Sequence, residues 1–554
     1  MAIPHTSNNI KMWAIISGVE VEITKATVSY EMNTIPVGTI LCPVGINEEN
    51  EVAKSHELLK KKWPQPVQLM VEVKQVSGEK RKHLPDGKHV IFDGYVGGAD
   101  LKRSLNGFTI AFELTHWLSD LNHGSAMSAA SHPDNPTRFS FSSTFKMTSG
   151  GGAGGTEHWT PETLAASEFG PGEVQEDLWE KCILKWFKAL AKNDRLGVQG
   201  GQGCTVGPND SKGAVQAALG RFENGDPPLK FLEGYEQGIH QIWDEFSFAT
   251  FNATHNANSL AGVSHSTIWD KLINSFAANF NFSIIPFPEK AKVVPFCPLM
   301  EDHWKVERSG SEYTIQSNEI DFLDFHQKVI RPIKGYMLYG DIGFISGANS
   351  AGGQMKDTTD TFLGGCYVPD QEGPGMIIIK KLPRYLSNVV QANRKVKAAT
   401  NVKSTQVHSE ETGDITDDSK DRKQAVLTHA NDLAKFLYHN ENLKSRHGQL
   451  SGPLRFDICP GSTIKIEGVG SEIYKGVGAE VTDSYAHVLR ITHYIDAEMP
   501  RAGTAFSLSH IHTKEEHGQH SIDKHPLYAE KWNSKDCKGT AAPNGNEFSC
   551  ASSG

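Results

Sequence analysis

The sequence predicts an α+β chain dominated by strands: two similar β modules, a mixed helical insertion between them and an extended C-terminal arm. Three observations carry this. One segment type occurs twice, at residues 90–130 and 456–513, each time an alternating β run that leads to a histidine. Gly reaches 52 residues, which favours turn-dense β architecture. Between a Gly/Ser run at 149–155 and about residue 300, the apolar period shifts from two towards the helical value.

Taken in order, Val19, Val21 and Ile23 share one strand face, and Val28, Tyr30 and Met32 repeat the pattern. Pro36 and Gly38 turn the chain before Ile40 and Leu41 resume it. Residues 67–76 alternate again, and Asp86-Gly87 is the hairpin signal between that strand and the next. Residues 108–114 (FTIAFEL) form a further strand, which completes a β domain over 1–148. The insertion covers 149–300. Leu178, Trp179, Cys182, Ile183, Trp186, Phe187 and Leu190 sit at helical spacing; 214–219 and 268–280 continue the helical reading, with Thr267 as N-cap.

Strands return over 301–395 and 440–515, the second β domain, where Ile464 and Ile466 should both be buried. Residues 396–439 separate its two parts. The stretch 396–423 has no helical or strand period and reads as a surface loop, and a helix is expected at 424–439. Residues 516–554 are polar and Gly/Ser-rich, an arm with Leu527, Tyr528 and Trp532 as its candidate partner-binding anchors.

Composition bounds the function. A chain of 554 residues holds roughly two to four domains. Its apolar content of 38% and its 26 Phe place it among ordered globular proteins. A formal charge of -10 argues against a sequence-wide grip on nucleic acid. Eight scattered cysteines are not a disulfide framework; free thiols are expected, with Cys537 and Cys550 either paired locally or free. The N-terminal residues lack a signal-peptide pattern, and no apolar run approaches the roughly 18–20 residues that cross a bilayer. The expectation is a soluble protein made in the cytosol, with no membrane contact.

No compact catalytic motif emerges. The glycine-rich run 197–214 fails the phosphate-loop spacing because Lys212 is followed by Gly213. Ser350 is not in a nucleophile elbow, since Gly347 precedes it by three residues. His116-Trp117 reads as a packing pair. His510 and His512, two apart on a strand, would put both rings on one face, a spacing that can hold a transition metal; ordinary polar decoration of a strand end is the simpler reading. No catalytic, cofactor-binding or metal residue is assigned, and no cofactor is expected.

The strand–Asp93-Gly94-Tyr95–strand pattern, the histidine after it and His132-Pro133-x-Asn135-Pro136 resemble the first tube-like domain of contractile-tail baseplate hub proteins. Pro460-Gly461 followed by an alternating strand, and the Ile491-Thr492-His493 step, are similar to the second. The resemblance covers residues 15–145 and 330–515. It implies two tube-like β-barrel or sandwich domains per chain and a homotrimer of six similar modules. That ring would match a hexameric tail tube protein above and a trimeric central spike protein below, with baseplate wedge proteins outside it. DNA would only transit the lumen, without specific binding. Two rival classes stand beside it. One is a tail-associated cell-wall hydrolase, with a site near Trp179, Trp186, His240 and Trp243. The other is a tail-tip carbohydrate-binding protein.

Overall fold

In a computed structural model of the chain, strands predominate and both β modules lie in one open sheet. The structure describes residues 9–44, 58, 64–74, 84, 86–104, 107–122, 124–126, 130–132, 135–140, 179–180, 184, 204–206, 209–225, 266–277, 282–296, 313–327, 332–341, 362–369, 374–381, 417–468, 483–497, 501–513 and 516. The N-terminal module comprises β1 (Asn9–Ile16), β2 (Val19–Glu22), β3 (Lys25–Glu31), β4 (Val37–Val44), β5 (Gln65–Lys74), β6 (Gly87–Ser104) and β7 (Gly107–His116). Its antiparallel order is β3-β4-β7-β6-β5-β1-β2. Alternation decides the facing: in β5, Val67, Leu69, Val71 and Val73 are buried while Gln68 is exposed.

Asp86-Gly87 does not form the expected tight hairpin. Val73 pairs with Gly87, so Gly87 opens β6 and the return from β5 takes all the residues after Lys74. Gly87 has φ of +130°, a conformation open to glycine, and this explains the misleading signal. The short turn lies instead between Ser104 and Gly107, which pair with two residues between them.

Beyond β7, and still within residues 1–148, lie β8 (Gly124–Ala126), β9 (Ala130–His132) and β10 (Asn135–Ser140); the insertion contributes β11 (Cys204–Val206), α1 (Asn209–Gly220), β12 (Phe222–Asn224), β13 (Ser266–Thr267), α2 (Ile268–Asp270), β14 (Phe282–Pro286) and β15 (Ala291–Pro295). Helix α2 runs on as a π-helical segment, Lys271–Ala277. Thr267 caps it as expected: the Asp270 N–H donates to Thr267 Oγ1 at 3.0 Å. The C-terminal end of the insertion is no outlying appendage. Asn33, in the left-handed conformation after β3, exchanges two hydrogen bonds with Ile284, through its N–H and its side-chain oxygen. Strand β14 is thereby fixed to the turn between β3 and β4.

The C-terminal half holds β16 (Tyr313–Gln316), β17 (Phe322–Gln327), β18 (Ile333–Asp341), β19 (Phe362–Tyr367), β20 (Met376–Lys381), α3 (Asp417–Lys444), β21 (Arg446–Pro453), β22 (Thr463–Glu467), β23 (Ser484–Asp496) and β24 (Arg501–Thr513). Strands β18–β20 form a separate three-stranded sheet against α3, where Cys366 N–H bonds to Asn431. The helix begins seven residues inside the expected loop and ends beyond His439. Lys444 in its last turn suits the negative end of the helix dipole. Cys366 is disulfide-bonded, against the expectation of free thiols, whereas Cys42 and Cys459 are free and buried.

The remaining strands extend the main sheet as β17-β21-β24-β23, with β22 and then β16 beside the first part of β23. Strand β23 then pairs with β3, giving a 13-stranded sheet; neither module closes into a barrel among the described residues. One hydrophobic core runs under both modules, from Ile16 and Phe92 to Ile464, Ile466 and Phe506. Ile464 and Ile466 are both fully buried, as the alternation predicts.

Four strands of one module correspond to four of the other in sequence and pairing. Ala111-Phe112-x-Leu114-Thr115-His116 of β7 matches Ala505-Phe506-x-Leu508-Ser509-His510 of β24. Phe112 pairs with Ile40 of β4 and Phe506 with Leu450 of β21; one step on, Gly38 and Gly448 oppose Leu114 and Leu508. Both long partners slip register at the same place, β6 between Val96 and Gly98 and β23 between Val488 and Arg490. Thus β3, β4, β7 and β6 correspond to β17, β21, β24 and β23.

Candidate functional surface at the seam between the modules

The seam is built by two alternating strands. In β3, Ala26, Val28 and Tyr30 point into the core; in the second half of β23, Ile491, His493 and Ile495 do the same. Arg490 pairs with Glu31, Thr492 with Ser29, Tyr494 with Thr27 and Asp496 with Lys25 on the opposite face. Main-chain bonds continue past both ends, Met32 N–H to Leu489 O at 3.1 Å and Ala497 N–H to Thr24 O at 2.8 Å. Lys25 Nζ lies 2.8 Å from Asp496 Oδ2, and Ser29 and Thr492 share a hydroxyl hydrogen bond of 3.2 Å. Such half-exposed ion pairs contribute little stability. Their use is to fix register, because a one-residue slip would bring core residues to the surface.

The outward face is polar at the seam itself: Ser451, Ala505, Thr492 and Ser29 lie side by side on successive strands, and the exposed Phe322 and Val37 flank them in the same row. Its seam cations, Lys25 and Arg490, each sit against a carboxylate. A ladder of this kind can pass a polyanion but offers it no grip.

Beneath the seam, Tyr30 donates to Ile91 O at 2.7 Å and meets His116 edge-on at 5.9 Å. His116 is fully buried. Its Nδ1 accepts the Leu118 N–H, so Nε2 carries the proton and donates to Phe287 O at 2.9 Å. Burial pushes its pKa down to about 3. Trp117 donates to Pro288 O, and Arg221 stacks 5.0 Å from the indole while pairing with Asp93. His116-Trp117 is therefore a packing pair, as the sequence suggested. The cavity beside it, lined by Tyr30, His89, Phe287, Phe456, Asp457 and His493, has about 40 Å³, room for a few waters.

The spacing argument for His510 and His512 fails. His510 takes φ of +51° where the register slips, between the Tyr485–His512 and His487–Ser509 pairs. The bulge gives the two rings different neighbours: His510 meets Phe296 and His487, while His512 stacks on Tyr485 at 5.7 Å. No cluster able to hold a metal occurs among the described residues. Of the rival hydrolase cluster, Trp179 is buried against Phe222 and Phe282. Trp186, His240 and Trp243 lie outside the described residues, as do Leu527, Tyr528 and Trp532 and the joint at 149–155. No helix among the described residues is long and apolar enough to cross a membrane.

Sequence reading missed the seam, because nothing in β3 or β23 alone names its partner. The shared Ala-Phe-x-Leu-[Ser/Thr]-His strand was the available signal.

No protein-family model matches the chain, and no curated protein matches it in sequence. Among solved structures, a tail protein from Neisseria meningitidis is similar over 90% of this chain and 96% of its own, at 9% identity and a TM-score of 0.40. The 43 kDa tail protein of prophage MuSo2 from Shewanella oneidensis covers 90% and 98%, at 9% identity and 0.38. An E. coli component of the type VI secretion system, itself structurally similar to the T4 bacteriophage tail proteins gp27 and gp5, covers 91% and 78%, at 8% identity and 0.33. At these scores the likeness carries no weight alone, and the functional reading rests on this chain's own topology.

Proposed function

We propose that the chain is a structural virion protein, the baseplate hub of a contractile tail, located in the tail baseplate after assembly in the host cytoplasm. Three copies form a ring of six equivalent modules that adapts a hexameric tail tube to a trimeric central spike, with wedge proteins outside and DNA passing through the lumen during genome ejection. The carrying observation is the seam: two equivalent modules joined edge to edge in one continuous sheet. A duplicated module converts threefold symmetry of chains into near-sixfold symmetry of surfaces, which a hexameric partner requires. The polar outward face at the seam, with its cations paired to carboxylates, suits a channel lining, and the packing role of His116 suits a structural rather than an enzymatic protein. Residues 517–554, with Leu527, Tyr528 and Trp532, act as a partner-binding arm.

Sedimentation and negative-stain imaging of the full chain, alone and with the spike, test this. A homotrimer with a central hole is expected; a monomer under both conditions overturns the reading. Hydrolysis of purified peptidoglycan by the chain would favour the enzyme instead.

A further inference from the structure

The duplicated modules contain one finished seam and the two halves of a second. We infer that the open flank of β6 over residues 98–104 receives β17 of a second copy of this chain, antiparallel, with Asp100 opposite His326, Leu101 opposite Phe325 and Lys102 opposite Asp324. This names the contact between copies that the proposed ring needs, and it rests on that reading for closure only.

In β23 the first part pairs with β22 and the second half with β3. In β6 the first part pairs likewise with β5, up to Val96. Its second half has β7 on one side and, among the described residues, no strand on the other. Strand β17, the counterpart of β3, pairs with β21 and has no outer neighbour among the described residues. Among the described residues, each flank lacks the strand that its counterpart has.

Burial tells the same story. Ile491 and His493 are 4% and 6% exposed beneath the finished seam. Their counterparts on β6 are Ala99, which is half-buried, and Leu101, which is 60% exposed although it faces the core opposite the buried Ile110. Across the seam, Ala26 and Val28 are 3% and 0% exposed, whereas Leu323 and Phe325 on β17 are only half-buried. An inward-facing leucine left in water on an unpaired edge is a liability unless another strand covers it. The occupant must differ from the edge it meets, because the finished seam joins unlike strands. The contact is therefore head-to-tail.

Register follows from the finished seam. Thr492 faces Ser29 there, His493 faces Val28 and Tyr494 faces Thr27. The glycine equivalence of Gly38 with Gly448 aligns Val28 with Phe325, which sets the three pairs named above. Asp100 with His326 joins an acidic residue to a protonatable one, and Leu101 with Phe325 joins two apolar core-facing residues.

The test uses the full chain carrying both Asp100→Cys and His326→Cys under mild oxidation, compared with each single variant and with the parent. Paired Cβ positions at this seam fall within disulfide reach. Cross-links between copies are expected in the double variant alone, and the off-register pair Asp100→Cys with Phe322→Cys should give none. Leu101→Asp should keep the parent's monomer fold, since that position is already exposed, yet weaken association by about tenfold or more. Cross-linked ladders without a closed species support the seam and remove the ring. An oligomer that forms without the cross-link and ignores Leu101→Asp overturns the seam alone. A chain that stays monomeric with the spike present overturns both.

Discussion

Arg490 lies directly opposite Glu31 across the β23–β3 pair, its Nε 2.8 Å from Glu31 Oε2, so one ion pair joins the two modules across most of the chain. Both side chains are partly exposed, at 48% and 35%. A double-mutant cycle with Arg490→Ala and Glu31→Ala should therefore return a coupling of only about 0.2–1 kcal/mol, falling with added salt. A coupling several times larger would mean that the pair is shielded in solution, as by a neighbouring copy.

The core below the seam should respond more strongly. Ile466 pairs with Ile315 of β16, and both are buried. Ile466→Asp sets a charge in an apolar layer and should cost several kcal/mol, about 3–5. Chemical denaturation checks it; an unchanged midpoint would show that β22 faces the other way.

Helix α3 docks through a glycine. A Cβ at Gly365 would stand 2.1 Å from Ala430 O and 2.8 Å from Asn431 N, contacts with main chain that cannot swing aside. Gly365→Ala should separate α3 from β19 and destabilise that sheet by about 2 kcal/mol or more, while the main sheet remains. Hydrogen exchange read separately in α3 and in β23 distinguishes local from global loss.

Much of this architecture was legible beforehand. Alternation alone gave the facing of Val67–Val73 and of Ile464 and Ile466, and Thr267 marked its helix start. Local signals failed where a distant partner decides. Gly87 looked like a turn residue but begins a strand, and His510 looked like a regular strand position but sits at a bulge. Asp417 and Asp418 looked like loop and begin a helix. The seam lies furthest from local reading, since β3 and β23 meet only in space.

Glu516, the first residue of the expected arm, is tied to the main sheet. Glu516 lies beyond the last strand yet bonds to Arg446 at 2.8 Å and accepts the Thr513 N–H at 2.9 Å, so a cut after Thr513 removes a clamp on β21 and β24. Truncation after His517 should preserve the melting temperature and any trimer while weakening attachment to the spike or another tail protein. Truncation after Thr513 should in addition lower stability by about 1 kcal/mol. Equal melting of the two truncations would show that the Glu516 clamp is idle.

Acid should loosen the fold through buried histidines. His116 and His487 are both pushed down to about 3 by burial, His487 with a further push from His512, and His510 is lowered in the same direction by burial. In the unfolded chain each titrates near 6.5. The unfolded state therefore binds protons that the folded state refuses, and stability that is complete above about pH 6.5 is lost as the pH falls towards 3. Each such histidine steepens the loss by up to about 1.4 kcal/mol per pH unit within that window. The groups around the pair His487 and His510 are Phe296, His512, Lys444 and, through its main chain, Asn440. Lys444 and His512 both oppose a further positive charge there. For Glu516 burial pushes the carboxyl up, but the Thr513 N–H and Arg446 together outweigh it and hold the group below its ordinary value, which adds a loss of the same sign at lower pH. Urea midpoints at pH 7, 5.5 and 4.5 should fall progressively in the parent chain, and His487→Gln should fall less steeply because one refused proton is gone. A parent whose midpoint is flat from pH 7 to 4.5 would mean that these rings are hydrated in solution and that the β22–β23–β24 corner is open.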